Sequence, residues 1–304
     1  MNTDMQYEIP ILIIGFNRPD VIRQTFEYVK AAKPTKLYIA IDGARENRPG
    51  EEKLVEEVKQ VFNGIDWECE VHKKYNTQNL GAEVTVSSAV TWALENEEYA
   101  IVLEDDIVAS KAFLQFAKDM LIRYKDCENV YLVSGGNYTP TEFNSKADYT
   151  YCFSGHTGCG WATWKRAWDK FTLNCDFIIS KEELIERFST KHMANIKYKG
   201  LKKRAMQPIG SCTWDVCWSF IRLKNKGLSI VPRVNLTSNI GVYGLHDNGQ
   251  TRMHFLRYDN DFIAVNHPAK ITIDKDYDKY HFYKYMYKPL WKKVINRLSR
   301  IFKL

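Results

Sequence analysis

Unbroken apolar runs alternate with stretches of helical period through the first 135 residues. Ile9-Pro-Ile-Leu-Ile-Ile-Gly-Phe16, Leu37-Tyr-Ile-Ala-Ile41, Tyr99-Ala-Ile-Val-Leu103 and Val130-Tyr-Leu-Val-Ser134 lack the in-out alternation of a half-solvated strand. They predict strands covered on both faces. Cys69-Glu-Val-His72 predicts a shorter one. Between them Val21, Ile22, Phe26 and Val29 share one helical face, and Leu54, Val55, Val58, Val61 and Phe62 another, within a helix over 51–62. Further helices are predicted over 81–95 and 110–124. Repeated β-α-β of this kind predicts an α/β fold with a mostly parallel central sheet flanked by helices.

The Tyr99 run ends abruptly in Glu104, Asp105 and Asp106. Ligands of open α/β sheets bind just beyond the carboxyl ends of such strands, and three carboxylates there need a cation. Neighbours on an extended chain point to opposite sides, so one or two could touch a metal while the others meet hydroxyls. Oxygen-only ligation favours Mg²⁺ or Mn²⁺. A solvated acidic turn is the plain alternative, and the local sequence does not separate the two. Asn17-Arg18 and Asp42-Gly43 end the first two strands and would share this sheet edge, where a nucleotide could rest; each also reads as a simple turn or helix start. No Gly-x-Gly-x-x-Gly follows the first strand and no Gly-x-x-x-x-Gly-Lys-Ser/Thr occurs, so a divalent cation would do what a glycine loop does elsewhere.

In the second half, Thr213-Trp-Asp-Val-Cys-Trp-Ser-Phe220 opens a helix predicted to end at Lys226-Gly227. Asp215 falls in its first turn, where the helix dipole favours a carboxylate, either as a cap or as a base facing a cleft. Trp161, Trp164 and Trp168, spaced by three and four, predict one helix face packed in the core. Lys197-Tyr-Lys-Gly-Leu-Lys-Lys-Arg204 reads as a basic surface loop, or one that approaches the pyrophosphate of a lipid-linked acceptor.

With 304 residues, 45% apolar and 26% charged, the chain can bury a full core. Its seven cysteines are odd in number and contain no Cys-x-x-Cys, which argues for reduced thiols rather than a disulfide framework or a zinc site. The first residues are polar and acidic, and no segment approaches about 18 consecutive apolar residues, so neither a signal peptide nor a membrane span is expected. The net charge of +6 conceals an asymmetry: from Lys279 onward there are eight Lys or Arg and no acid, leaving the rest at −2. Within 288–304, Leu290, Trp291, Val294, Ile295, Leu298, Ile301 and Phe302 follow a helical period opposite Lys292, Lys293, Arg297, Arg300 and Lys303. Such a basic amphipathic helix suits an anionic membrane surface or docks on the protein's own core. Nucleic acid is not expected, since no positive excess continues into the rest of the chain.

Ile-Gly-Phe-Asn-Arg-Pro19, Asp42-Gly43, Asn79-Leu-Gly81, Leu-Glu-Asp-Asp106, Gly158-Cys-Gly-Trp161, Thr213-Trp-Asp215 and Asn239-Ile-Gly-Val-Tyr-Gly-Leu-His246 occur in that order. Together they resemble GT-A fold glycosyltransferases, in particular the Golgi N-acetylglucosaminyltransferases that start complex N-glycan branches and their bacterial relatives, over about residues 8–250. The resemblance implies a GT-A domain with a nucleotide-sugar half over 1–135 and an acceptor and base half over 136–275, and the charge pattern adds a basic amphipathic tail over 276–304. It implies Asp106 as ligand of Mn²⁺ or Mg²⁺ with His246 near the metal or diphosphate, and Asp215 as catalytic base flanked by Trp214. Glu104, Asp105 and Asp42 match donor-contacting carboxylates, Asn17 and Arg18 line the nucleotide pocket, and Trp161 stacks beside the donor sugar. His156 has no motif behind it. The activity implied is inverting, metal-dependent transfer from a nucleotide sugar, expected to be a UDP-sugar, to a glycan or lipid-linked glycan acceptor at the cytoplasmic face of the cell membrane. A sugar nucleotidyltransferase and a non-catalytic carbohydrate-binding protein are the alternatives. The anchor that the Golgi enzymes carry at the N-terminus is not seen here, and the basic tail is expected to replace it.

Overall fold

Ile11, Leu12 and Ile13 are wholly buried, as are Ile101, Val102 and Leu103, so the continuous apolar runs do lie inside a sheet covered on both faces. The computed structural model describes residues 7–138, 146–155, 157–175, 179–242 and 255–287. Its first half runs β1 (Ile11–Gly15), α1 (Pro19–Ala32), β2 (Lys36–Ile41), α2 (Glu51–Val61), β3 (Glu70–Tyr75), α3 (Gly81–Asn96), β4 (Tyr99–Glu104), β5 (Ile107–Ala109), α4 (Lys111–Arg123) and β6 (Val130–Ser134). Pro19 opens α1, where its missing N–H costs nothing, and the Ser110 hydroxyl caps α4 by accepting from Phe113 N at 2.9 Å. The second half adds β7 (Tyr149–Cys152), β8 (Trp161–Trp164), α5 (Lys165–Trp168), α6 (Lys181–Arg187), α7 (Lys191–Ala205), α8 (Trp214–Lys224), β9 (Leu228–Pro232), β10 (Thr237–Asn239) and α9 (Lys275–His281).

Eight strands form one sheet in the order β3-β2-β1-β4-β8-β6-β9-β7, which crosses both halves of the chain. β3, β2, β1 and β4 are parallel throughout. The chain steps outward from β1 to β3 and returns to β4 on the other side of β1, so the strand order reverses between β1 and β4, the kind of point at which α/β sheets open a crevice. β8 is antiparallel between β4 and β6, and β7 runs antiparallel along β9 at the edge. β5 and β10 pair separately as an antiparallel ribbon.

Three expectations are corrected. Trp161 and Trp164 do not share a helix with Trp168: all four residues of β8 are buried, and only 165–168 turn helical. Spacings of three and four fit a fully buried strand followed by a helical turn as well as they fit one helix, because a strand with no solvent face shows no alternation. The basic stretch 197–204 is not a loop but part of α7, whose inward side carries Met193, Ala194, Leu201 and the buried Arg204. At the end of α8 the left-handed residue is Lys226, with φ of 56°, rather than Gly227. Gly227 is small for another reason: a β-carbon there would collide with the Tyr131 ring. Among the described residues no helix is long and apolar enough to cross a membrane, and the amphipathic segment 288–304 lies outside them.

Candidate active site

At the carboxyl ends of β1, β2 and β4 lies a cleft of about 250 Å³. Asn17, Arg18, Asp42, Glu104, Asp105 and Asp106 all line it, together with Gly81, Ala82, Thr85 and Val86 from the start of α3. Residues from three separate strand ends thus converge at the point where the strand order reverses.

The acidic strand end is a turn, not an extended continuation of β4. Asp105 is buried, and the Thr25 hydroxyl donates to its backbone carbonyl at 2.8 Å. Arg18 grips it from the other side: Nε donates to Asp105 Oδ2 at 3.1 Å, and Nη2 contacts both Asp105 Oδ1 and, at 3.1 Å, Asp106 Oδ2. The first cation these carboxylates meet is therefore a guanidinium, and Arg18 serves them rather than standing free on the pocket wall. Burial alone would weaken its hold on the proton, but the two aspartates more than offset this and raise its pKa. They are not fully neutralised in return. Burial, followed by the charges of Asp106, Asp105 and Asp215, pushes Glu104 up to about 8, and burial pushes Asp105 up to about 6 despite Arg18. The guanidinium is bonded to two of these carboxylates, Asp105 and Asp106.

A hard divalent cation fits that surplus of oxygen donors and negative charge. Among the described residues, however, no three His, Cys, Asp or Glu side chains are grouped so as to hold a metal ion by themselves. Any Mg²⁺ or Mn²⁺ here would need phosphate or water oxygens to complete its shell, which is how Mg²⁺ is usually bound. Gly241 lies against the Asp106 carboxylate so closely that a β-carbon would overlap it, and its N–H is held by Asn239 Oδ1 at 2.8 Å. The glycine leaves that carboxylate room. His246 and His156 fall outside the described residues.

Asp42 lines the cleft and also organises the loop beside it. It is buried, and its carboxylate accepts from Gly43 N, Asn76 Nδ2 and Leu80 N through Oδ1, and from Asn79 Nδ2 and Gly81 N through Oδ2, each at 3.0 Å. With five donors its acceptor capacity is used, and it fixes the loop that starts α3. Asn17 likewise donates to Glu51 Oε1 at 2.8 Å, and Glu51 accepts from Arg45 N at 2.8 Å. Glu51 and Asn76 support the cleft without lining it, and Asn79 lies on its wall. Asn79 was visible within Asn79-Leu-Gly81, whereas Glu51 and Asn76 sit in stretches that look like ordinary polar helix and loop.

Asp215 is exposed in the first turn of α8, whose cap position belongs to Thr213. Its charge reaches Glu104, although Asp215 is not among the residues that line the cleft. Trp161 and Trp214 are only 1% and 3% exposed and stack on each other, with ring centroids 5.1 Å apart. Neither indole is a platform for a sugar; they brace β8 against α8 instead. Behind α8, Glu83 of α3 pairs with Arg204 of α7 at 2.5 Å, and Arg204 Nε donates to Cys217 Sγ at 3.1 Å. This buried pair ties the α3 wall of the cleft to the helix that carries Asp215.

A second buried polar cluster lies under α8. Asp278 Oδ2 accepts from Phe153 N at 3.1 Å and Arg222 Nη2 donates to Gly155 O at 3.2 Å, so both hold the loop after β7. Burial raises Asp278 to about 6, and burial, with Lys197 nearby, lowers His281 to about 3. The two shifts act oppositely on stability. His281 has a folded pKa below its unfolded value, so the unfolded chain takes the proton first and stability falls as pH drops below about 6.5. Asp278 has a folded pKa above its unfolded value, so the folded chain takes the proton first and stability rises between about pH 6 and 4. Replacing His281 by Gln removes the unfavourable half. Measured as urea unfolding free energies, the change in stability from pH 6.5 to pH 4 should shift in favour of the acid side by up to about 3 kcal/mol relative to the parent. An unchanged difference would show that His281 is not held neutral.

No protein family matches the sequence, and no curated protein matches it. Among solved structures, HddC from Yersinia pseudotuberculosis is similar with a TM-score of 0.33 and 12% identity, over 56% of this chain and 85% of that one. The 4-diphosphocytidyl-2C-methyl-D-erythritol synthase from Anaerococcus prevotii is similar with a TM-score of 0.35 and 9% identity, over 75% and 90%. A UDP-glucose pyrophosphorylase complexed with UDP-glucose is similar with a TM-score of 0.36 and 9% identity, over 74% and 90%.

Proposed function

We propose that the chain is an inverting, metal-dependent glycosyltransferase that moves a sugar from a nucleotide sugar, a UDP-sugar by the resemblance of its motifs, to a hydroxyl of a cell-surface glycan precursor. The observation that carries this reading is the convergence of Glu104, Asp105 and Asp106 with the ends of β1 and β2 at the reversal of strand order, with Asp215 close enough for its charge to reach Glu104. The cleft supplies backbone and amide groups for a nucleotide, and its surplus of carboxylates suits a cation shared with a diphosphate. Asp106 would hold Mn²⁺ or Mg²⁺, which when bound offsets the charge that grows on the departing diphosphate. Asp215 takes the proton of the acceptor hydroxyl as that oxygen attacks the anomeric carbon from the face opposite the leaving group. Arg18 keeps Asp105 and Asp106 together at the donor side.

The acceptor is a glycan or lipid-linked glycan, and residues 288–304 would bring the enzyme to the cytoplasmic face of an anionic membrane. The test of the donor site is calorimetric. UDP should bind the parent only with Mn²⁺ or Mg²⁺ present, and Asp106→Ala should lose that affinity by ten-fold or more; equal affinity would remove Asp106 from the metal. A sugar nucleotidyltransferase would use the same sheet edge, but such enzymes carry a glycine-rich basic loop after the first strand, where this chain has Phe16-Asn-Arg-Pro19. Release of pyrophosphate from a nucleoside triphosphate would favour that activity instead. Absence of any donor turnover would favour a carbohydrate-binding role.

A further inference from the structure

Away from the cleft, a broad groove of about 1100 Å³ opens where the run into β10 meets the chain after Phe255 and the end of α9. Four tyrosines line it: Tyr138, Tyr258, Tyr280 and Tyr285. Their rings are held in place. The Tyr258 hydroxyl meets that of Tyr28 at 3.2 Å, Tyr285 packs on Tyr138 with centroids 5.5 Å apart and donates to its carbonyl, and Tyr280 lies 6.5 Å from Tyr285. Rigid aromatic faces of this kind add contact area at small entropic cost. The exposed charges balance, Arg257 and Lys284 against Asp259 and Asp261. A nucleic acid or an anionic membrane would need a positive excess. What suits the groove is an uncharged ligand with apolar ring faces and many hydroxyls, which aromatic rings stack against and amides and carboxylates orient.

The groove shares no lining residue with the candidate active site, but buried side chains link the two. The Tyr138 hydroxyl contacts Cys159 Sγ, and Cys159 lies near enough to Asp106 and Glu104 to feel both charges. By a second route, Asn235 on the groove wall starts the segment that passes through β10 to Gly241, which rests on the Asp106 carboxylate. We propose that this groove binds a neutral oligosaccharide and holds the acceptor sugars that lie beyond the one being glycosylated. The role as acceptor subsite rests on the glycosyltransferase reading; the binding of oligosaccharide does not.

The test uses the full chain with cellotetraose, maltotetraose and chitotetraose as probes, followed by saturation-transfer NMR and calorimetry. At least one tetrasaccharide should bind, and Tyr280→Ala should weaken it about ten-fold while leaving Mn²⁺-dependent UDP affinity unchanged. Tyr258→Ala provides a second variant elsewhere in the lining, with circular dichroism to confirm folding. Failure of all three sugars to bind, displacement of the sugar by UDP, tighter binding of a heparin tetrasaccharide, or indifference to both variants would each overturn the proposal. If Asp106→Ala keeps its UDP affinity while the tetrasaccharide still binds, the donor-site reading fails and the groove stands.

Discussion

Asp215→Asn is expected to bind nucleotide sugar as the parent does and to lose about three orders of magnitude in kcat for transfer, within the range that a positioned general base contributes. The substitution keeps shape and removes only the proton acceptor. It should also leave the fold intact, because Asp215 is exposed and makes no side-chain hydrogen bond to the start of α8, so its structural contribution is its attraction to the helix dipole, about 0.3–1 kcal/mol. Two readouts separate base from structural residue: the KM for donor should hold while kcat falls, and slow hydrolysis of the donor by water should fall less than transfer to a sugar. Retained turnover would move the base to another group, with Glu104, a cleft carboxylate that the charge of Asp215 reaches, the first to test.

Arg204→Ala is expected to have the largest effect on stability. Arg204 and Glu83 are both almost completely buried, and the arginine also donates to Leu173 O at 3.1 Å and Gln207 O at 3.0 Å. Glu83 accepts in addition from Gly210 N at 2.5 Å and Cys212 N at 3.3 Å. Removing the arginine leaves a buried carboxylate without its counter-charge, which costs about 3–5 kcal/mol. Urea unfolding reads the loss directly, and a cost under about 1 kcal/mol would mean that water or a neighbour replaces the guanidinium. Glu83→Leu combined with Arg204→Met should recover much of the loss, since replacing both partners of a buried pair by apolar groups is often close to neutral. Because the first turn of α3 lines the cleft and α8 carries Asp215, the single variant should also weaken nucleotide binding before it unfolds.

Much of the fold was legible in the chain because continuous apolar runs and helical stripes are local signals. The strands at Ile11, Lys36, Tyr99 and Val130 and the four helices between them lie where the pattern puts them, within a few residues. The clustering of Asn17, Arg18, Asp42 and the Glu104–Asp106 run followed from one rule about strand ends. The pattern failed where burial is complete. In β8 every residue is inside, so the spacing of tryptophans could not distinguish strand from helix, and in α7 a run of lysines masked a helix anchored by one buried arginine.

What the amino-acid sequence by itself determined is the parallel β-α-β half, the acidic strand end, and the place of Asp215 in the first turn of its helix, because each depends on neighbours a few residues apart. Only the tertiary structure decided what those charges do. It made Asp42 the organiser of the α3 loop, gave Asp105 and Asp106 to Arg18, took Trp161 and Trp214 out of solvent, and joined Glu83 to Arg204 across 121 positions of the chain. A carboxylate's role is set by which donors surround it, and those donors come from segments far apart in sequence, where no local periodicity records the contact.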